Sequence, residues 1–319
     1  MLHIPPLSAL FHFTLLDPKG PIGMDEKWLL LFATGLMLIV VIPVIVLTLV
    51  FAWRYRAGQR GPFAATYAPN WSHSGRIEAI VWGVPCVIVA ILATVTWTST
   101  HALDPYRPVH VGKTAPLHVE VVSLDWKWLF IYPELKLASV NELVVPTDTP
   151  VQFRLTSSDV MNSFFIPQLG SQIYTMTGMI TQLGLIASQP GTYRGISANY
   201  SGDGFSTMDF QTHAVSPAQF KDWVAKVRAH GGTLDGAAYY QLTRPSENVP
   251  VSTYANVSPH VFDAAVALCD SSKACEQEAT DGPGGAMHMA MNQTASWLPG
   301  APVAGSMCAI PATDAKQEH

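Results

Sequence analysis

Two long apolar runs dominate the first third of the chain, Leu29 to Trp53 and Ala79 to Thr100, and neither contains a charged residue. Each exceeds the roughly 20 residues that an α-helix needs to cross about 30 Å of hydrocarbon. Pro43 and Pro85 lie inside them, which a lipid-embedded helix tolerates when neighbouring groups satisfy the freed carbonyl. Buried helices of a soluble core are the alternative, but such helices seldom run this far without a charge. After a stretch carrying Pro105, Pro108 and Pro116 the period changes to two. Leu117–Val122, Val151–Thr156 and Met208–His213 alternate as half-buried antiparallel strands do. Turn signals separate them at Pro146-Thr147-Asp148, Gln189-Pro190-Gly191 and Gly202-Asp203-Gly204. Several short strands in about 100 residues predict a β-sandwich or barrel. Beyond Ser216 the period becomes helical: Phe220, Trp223, Val224 and Val227 share one face behind a serine cap. Weaker helical stretches follow around Tyr239-Tyr240 and from Val261 to Leu268.

Charge sets the topology. Arg54, Arg56, Arg60 and Arg76 lie between the two apolar runs, with Glu78 the only acid before the second. By the positive-inside rule this loop is cytoplasmic and both termini face outward. Trp28, Trp53, Trp82 and Trp97 stand near the span ends, where indole rings favour the membrane interface. Charged residues make up only 13% of the chain and mean hydropathy is +0.22. From His101 onward, 12 Lys and Arg face 19 Asp and Glu, a net charge of −7. An acidic exported domain excludes a nucleic-acid partner.

The most informative motif lies between Gly191 and Met208. A dinuclear copper loop needs two bridging thiolates four residues apart, an imidazole four further on, a thioether three beyond, and a second imidazole from a distant loop. Here those places hold Ser197, Ser201, Phe205, Met208 and Asn162. A neutral hydroxyl is a hard, feeble copper ligand and a phenyl ring is none. Only Met208 retains a suitable donor.

With Asp159-Val160-Met161-Asn162-Ser163-Phe164-Phe165-Ile166-Pro167 upstream, this loop resembles subunit II of the haem-copper respiratory oxidases, in the branch that oxidises quinol rather than cytochrome c. Further matching blocks are Leu16-Asp17-Pro18-Lys19-Gly20, Asn70-Trp71-Ser72-His73-Ser74, Asp125-Trp126-Lys127-Trp128 and Leu169-Gly170-Ser171-Gln172-Ile173-Tyr174. The resemblance runs from about Leu15 to Tyr254. It implies an α+β membrane protein: a two-helix transmembrane hairpin, then a cupredoxin-like antiparallel β-barrel and a short helical C-terminal region. The corresponding divisions are an outward N-terminal segment (1–27), the hairpin (28–101), a linker (102–116), the barrel (117–216), a helical extension (217–268) and a low-complexity tail (269–319).

The resemblance also implies a function. The complex would oxidise ubiquinol, reduce oxygen to water and move protons across a bacterial inner membrane. This chain would carry no cofactor; haem and copper, and the quinol site, would belong to subunit I. Subunits III and IV and membrane lipid would be its other partners. Glu78, read alone, is an acid complementing a helix N-terminus, worth about 0.3–1 kcal/mol. The resemblance instead places it at the entrance of a proton pathway. With no copper to receive electrons, Trp126 and Trp128 are expected to pack the barrel onto subunit I. Quinol-branch members carry a lipid-modified cysteine before the Leu-Asp-Pro-Lys-Gly block, where this chain has Phe11-His12-Phe13-Thr14. Either the anchor is absent or the true start lies upstream.

Other chemistry is sparse. Cys269 and Cys275 can pair in an oxidising compartment, leaving Cys308 alone. The Met287-His288-Met289-Ala290-Met291 cluster suits cuprous ion, although a bland, flexible tail fits its composition better. No nucleophile-base arrangement, phosphate loop or paired-carboxylate motif stands out. Two alternatives remain: a copper-containing cytochrome c oxidase subunit II, and a free-standing membrane-anchored binding protein on the same scaffold.

Overall fold

The computed structural model describes residues 14–56, 70–107, 109, 114–269, 275 and 280. The Met/His cluster, Cys308 and the segment before Thr14 lie outside the described residues. Helices α1 (Pro21–Arg54) and α2 (Gly75–Ala102) extend both apolar runs at each end. At 1.5 Å per residue they reach about 51 and 42 Å, long enough to cross a membrane with turns to spare. Pro21 occupies the first turn of α1, where its missing N–H costs nothing. Their large apolar side chains, among them Leu38, Ile42, Val81 and Val87, are exposed to their surroundings. That pattern fits lipid or a partner rather than this chain's own core.

Among the described residues twelve strands follow: β1 (Leu117–Leu124), β2 (Lys127–Tyr132), β3 (Leu137–Val140), β4 (Glu142–Pro146), β5 (Val151–Ser157), β6 (Asn162–Phe165), β7 (Ile173–Thr175), β8 (Thr181–Leu185), β9 (Gly191–Ser197), β10 (Asp209–Val215), β11 (Gly232–Leu234) and β12 (Ser252–Val257). Helices α3 (Pro217–His230), α4 (Gly236–Thr243) and α5 (Val261–Val266) are interleaved with the last two strands. The strands form a seven-stranded sheet, β11-β12-β3-β2-β1-β5-β8, and a five-stranded sheet, β4-β10-β9-β6-β7. The chain crosses between the sheets after β3, β4, β5, β7, β8 and β10, and β1 pairs with β5 in parallel, as in a Greek-key barrel of the cupredoxin type. Tyr132 joins the two sheets: its hydroxyl donates to the Val144 carbonyl at 3.0 Å and accepts the Val144 N–H at 2.9 Å.

Strand β2 was hard to read because both of its faces are covered. Trp128, Phe130 and Tyr132 enter the core between the sheets, with Phe153, Phe164 and Phe210. Leu129 and Ile131 point the other way, into a second core closed by Leu234, Tyr239, Val261 and Phe262 of the C-terminal extension. A strand buried on both faces loses its alternation and reads as a continuous apolar run. Trp128 is therefore fully enclosed, in edge contact with Phe164 and Phe210 at 5.5 and 5.6 Å. This corrects the expectation that it packs the barrel onto another subunit.

The extension is tied down by polar as well as apolar contacts. Ser216 caps α3 in a reciprocal box with Gln219. The Lys127 ammonium, fully buried, donates to the carbonyls of Asp125 and Arg244 and to the Ser246 hydroxyl. Cys269 and Cys275 are disulfide-bonded just past α5. The first turn of α1 is also locked to the barrel. Lys19 N–H donates to the Gln168 carbonyl, Gly23 N–H to Leu169, and Ser188 N–H to Lys19. Any Cβ on Gly20 would collide with the Ile186 carbonyl, so the glycine permits this close approach.

Under α5, Glu120 and Arg154 face each other across the β1–β5 ladder and pair at 2.9 Å, while Phe262 lies over the guanidinium. Burial pushes the Glu120 carboxyl up to about 7, against the pull of Arg154; Asp263 raises it slightly further. A carboxyl with a raised folded-state value favours folding most when protonated. Its contribution is full below its ordinary 4.5 and fades as pH rises through about 7. Thermal melts of the solubilised protein should therefore show melting temperature falling from pH 5 to pH 8, and Glu120→Gln should flatten that slope. Parallel slopes for the two proteins would remove this group as the cause.

A candidate copper-type loop without copper ligands

Strand β9 delivers Ser197 to one end of the five-stranded sheet, and β6 delivers Asn162 beside it. The adjoining pair Phe164–Ser197 fixes the register. Both side chains are buried. Ser197 Oγ donates toward Asn162 Oδ1 at 3.1 Å and toward the Asn199 carbonyl at 3.2 Å. Asn162 Nδ2 donates to the Val160 carbonyl at 3.2 Å, and Asn199 Nδ2 to Met161 at 3.1 Å. Further along the loop, Ser201 Oγ points to Met208 Sδ at 3.8 Å. Four of the five singled-out positions thus meet in two adjoining contacts, Ser197 with Asn162 and Ser201 with Met208. Phe205 does not join them; its ring packs on Tyr200 at 5.5 Å, in an edge-to-face arrangement.

The loop keeps its shape through Trp126, which sequence reasoning had assigned to an intersubunit surface. Trp126 sits at a left-handed corner, φ +63°, between β1 and β2. Its indole Nε1–H donates to the Ser201 carbonyl at 3.1 Å. The ring lies over Gly202 and Gly204, where a Cβ at Gly204 would overlap it. Gly202 takes φ +107° and opens the short 3-10 turn Asp203–Thr207. The two glycines were read only as a turn signal; their spacing also marks the close approach of a large ring. On the strand beyond, burial pushes the Lys127 ammonium down, and burial with the neighbouring Asp159 carboxylate pushes Asp125 up.

As a ligand set this end of the barrel offers hydroxyls, amides and one thioether. Among the described residues no group of three or more His, Cys, Asp or Glu side chains converges as a metal site. Soft, bridging donors are what a copper pair requires, and the residues present do not fit it. Glu78 stands far along the chain, in the first turn of α2. It is exposed, and its Oε1 meets His73 Nδ1 at 2.7 Å.

A cupredoxin-type barrel carried on a two-helix apolar hairpin is the architecture of an oxidase subunit II. The family model "Cytochrome C oxidase subunit II, periplasmic domain" matches residues 119–215, and "COX Aromatic Rich Motif" matches 228–272. The chain is 59% identical to the cytochrome bo(3) ubiquinol oxidase subunit 2 of Pseudomonas aeruginosa over 78% of this chain and 74% of that protein. It is 55% identical to the Pseudomonas putida counterpart over 80% of each, and 54% identical to ubiquinol oxidase subunit 2 of Acetobacter aceti over 82% and 84%. The chain belongs to the ubiquinol oxidase subunit 2 family of the haem-copper oxidases.

Trp126→Ala removes both the indole platform and its hydrogen bond. A loss of about 1–3 kcal/mol in stability is expected, with faster amide exchange confined to residues 197–208. Trp126→Phe, which keeps an aromatic face, should lose about 1 kcal/mol. Unchanged exchange in the alanine variant would contradict the holding role.

Proposed function

We propose that this chain is the copper-free subunit II of a proton-pumping ubiquinol oxidase, acting as a scaffold and not as an electron carrier. The complex joins two reactions: each ubiquinol gives up two electrons and two protons, and each oxygen takes four of each to become two waters. In this reading the haems, the copper and the quinol site reside on subunit I. Subunits III and IV complete the assembly in a bacterial inner membrane, with both termini and the barrel on the periplasmic side. The divisions proposed from sequence stand with this reading, the extension at 217–268 serving as a cover for the barrel's outer sheet.

The observation that carries it is the buried Ser197–Asn162 hydrogen bond. Where a copper relay needs thiolate and imidazole, this loop holds a neutral hydroxyl and amide already satisfied by each other. Asn162, Ser197, Ser201 and Phe205 are then lost ligand positions, and Met208 a surviving one. Electrons from a soluble cytochrome would have no relay on this domain. A quinol dissolved in the membrane can reach subunit I directly.

Glu78 is assigned the proton-pathway entrance. Its support is position: a carboxylate in the first turn of a membrane-crossing helix, hydrogen-bonded to an imidazole that can hold a proton. This chain itself then performs no bond chemistry.

The complex purified through this chain should oxidise ubiquinol with oxygen uptake and leave reduced cytochrome c untouched. Sustained cytochrome c oxidation would favour the copper-containing alternative, and a lone, haem-free chain would favour the free-standing one. Glu78→Ala should cut turnover at least tenfold while leaving assembly and haem spectra intact. Full turnover in that variant would end the proton-entrance assignment without touching the quinol reading.

A further inference from the structure

The hairpin is open at the end nearest the barrel. A cleft of about 380 Å³ separates α1 from α2 there, walled by Asp25, Trp28, Leu29 and Phe32 on one helix and by Val95 and Ser99 on the other. The α1 residues recur at three- and four-residue spacing, so they form one stripe facing the gap. The helices run antiparallel, so polarity is ordered along the cleft. Asp25 stands at the mouth, Trp28 and Ser99 one level along the helices, and Phe32 and Val95 furthest from the barrel. Leu29, Val95 and Ser99 are half-buried and form the floor, while Asp25, Trp28 and Phe32 form the rim.

Depth identifies what that gradient meets. The apolar run of α1 begins at Leu29. Asp25 therefore lies about 6 Å outside the hydrocarbon, at headgroup level, and Trp28 marks the boundary. Phe32 and Val95 lie inside the acyl layer. Among the described residues no cation pairs with Asp25. On α1, Glu26 is hydrogen-bonded to Ser171 and Lys27 is the one positive charge beside two acids; past Leu103 at the α2 end, Asp104 and Arg107 offset each other. The mouth is therefore net negative. An anionic headgroup is repelled and an ammonium attracted.

We propose that this cleft binds one phospholipid with a primary-ammonium headgroup. Its ammonium pairs with Asp25 and its acyl chain fills the space between Phe32 and Val95. Bound there, the lipid completes the packing of a hairpin that is already locked to the barrel at Gly20 and Gly23. The site depends only on the two helices crossing the membrane; it stands or falls separately from the electron-donor and proton-entrance readings.

The test uses the oxidase complex as purified through this chain, reconstituted in bilayers containing photoactivatable phosphatidylethanolamine or photoactivatable phosphatidylglycerol. After illumination the labelled peptides are mapped. Phosphatidylethanolamine should label residues 28–32 and 95–99 in preference to phosphatidylglycerol. Asp25→Asn should reduce that preference roughly threefold, the size of one partly exposed ion pair. Ser99→Phe, which fills the cleft, should abolish labelling there while oxidase turnover continues. Equal labelling by the two lipids, labelling unchanged by Ser99→Phe, or none because another subunit occupies the cleft would each overturn the proposal.

Discussion

Two-sided burial of β2 is the constraint on which the β-rich half of the molecule rests. Its side chains alternate between two cores: Trp128, Phe130 and Tyr132 inside the barrel, Leu129 and Ile131 beneath the extension. Removing either cover would expose a row of large apolar groups, at roughly 1.5–3 kcal/mol for each side chain. The extension is thus the second wall of a strand that the barrel alone leaves half bare. The same segment governs its neighbours. Trp126, one turn earlier, clamps the Gly202–Gly204 loop, and Lys127 reaches across to Arg244 and Ser246. Core, loop and extension meet in three consecutive residues.

That arrangement holds the Gly191–Met208 loop in shape through this chain's own contacts. In a metal site, coordination bonds fix the loop. Here an indole face, a carbonyl hydrogen bond and the Ser197–Asn162 contact supply the fixing. Each is worth about a kilocalorie per mole, in addition to the strand pairing on both sides.

Much of this was legible in the sequence, for identifiable reasons. Unbroken apolar runs announced both membrane helices, and the serine cap announced α3. The period of two announced β1, β5 and β10, since each of these has one partly exposed face for some of its length. Strand β2 was missed because burial on both faces erases alternation. Trp128 was misplaced for the same reason, because an aromatic in an apolar run carries no sign of which surface it faces. The five loop positions could be singled out because ligand spacing is local in sequence. Their hydrogen-bond partners could not be foreseen: Ser197 with Asn162 and Trp126 with Ser201 join residues 35 and 75 positions apart. The His73 partner of Glu78 lies inside the Asn70–Ser74 block, and five residues at a helix start is within reach, but nothing in the sequence distinguishes that contact.

In the proposed reading, the Gly191–Met208 loop and Asn162 form a copper-type scaffold that lacks four of its five donors. Restoring them in one protein, by Asn162→His, Ser197→Cys, Ser201→Cys and Phe205→His with Met208 retained, tests it most directly. Metal analysis and visible absorption after loading with copper are the readouts. Two coppers per chain and strong thiolate-to-copper absorption are expected, with circular dichroism unchanged. A folded variant that binds no copper, or binds it only loosely and without that absorption, would contradict that reading.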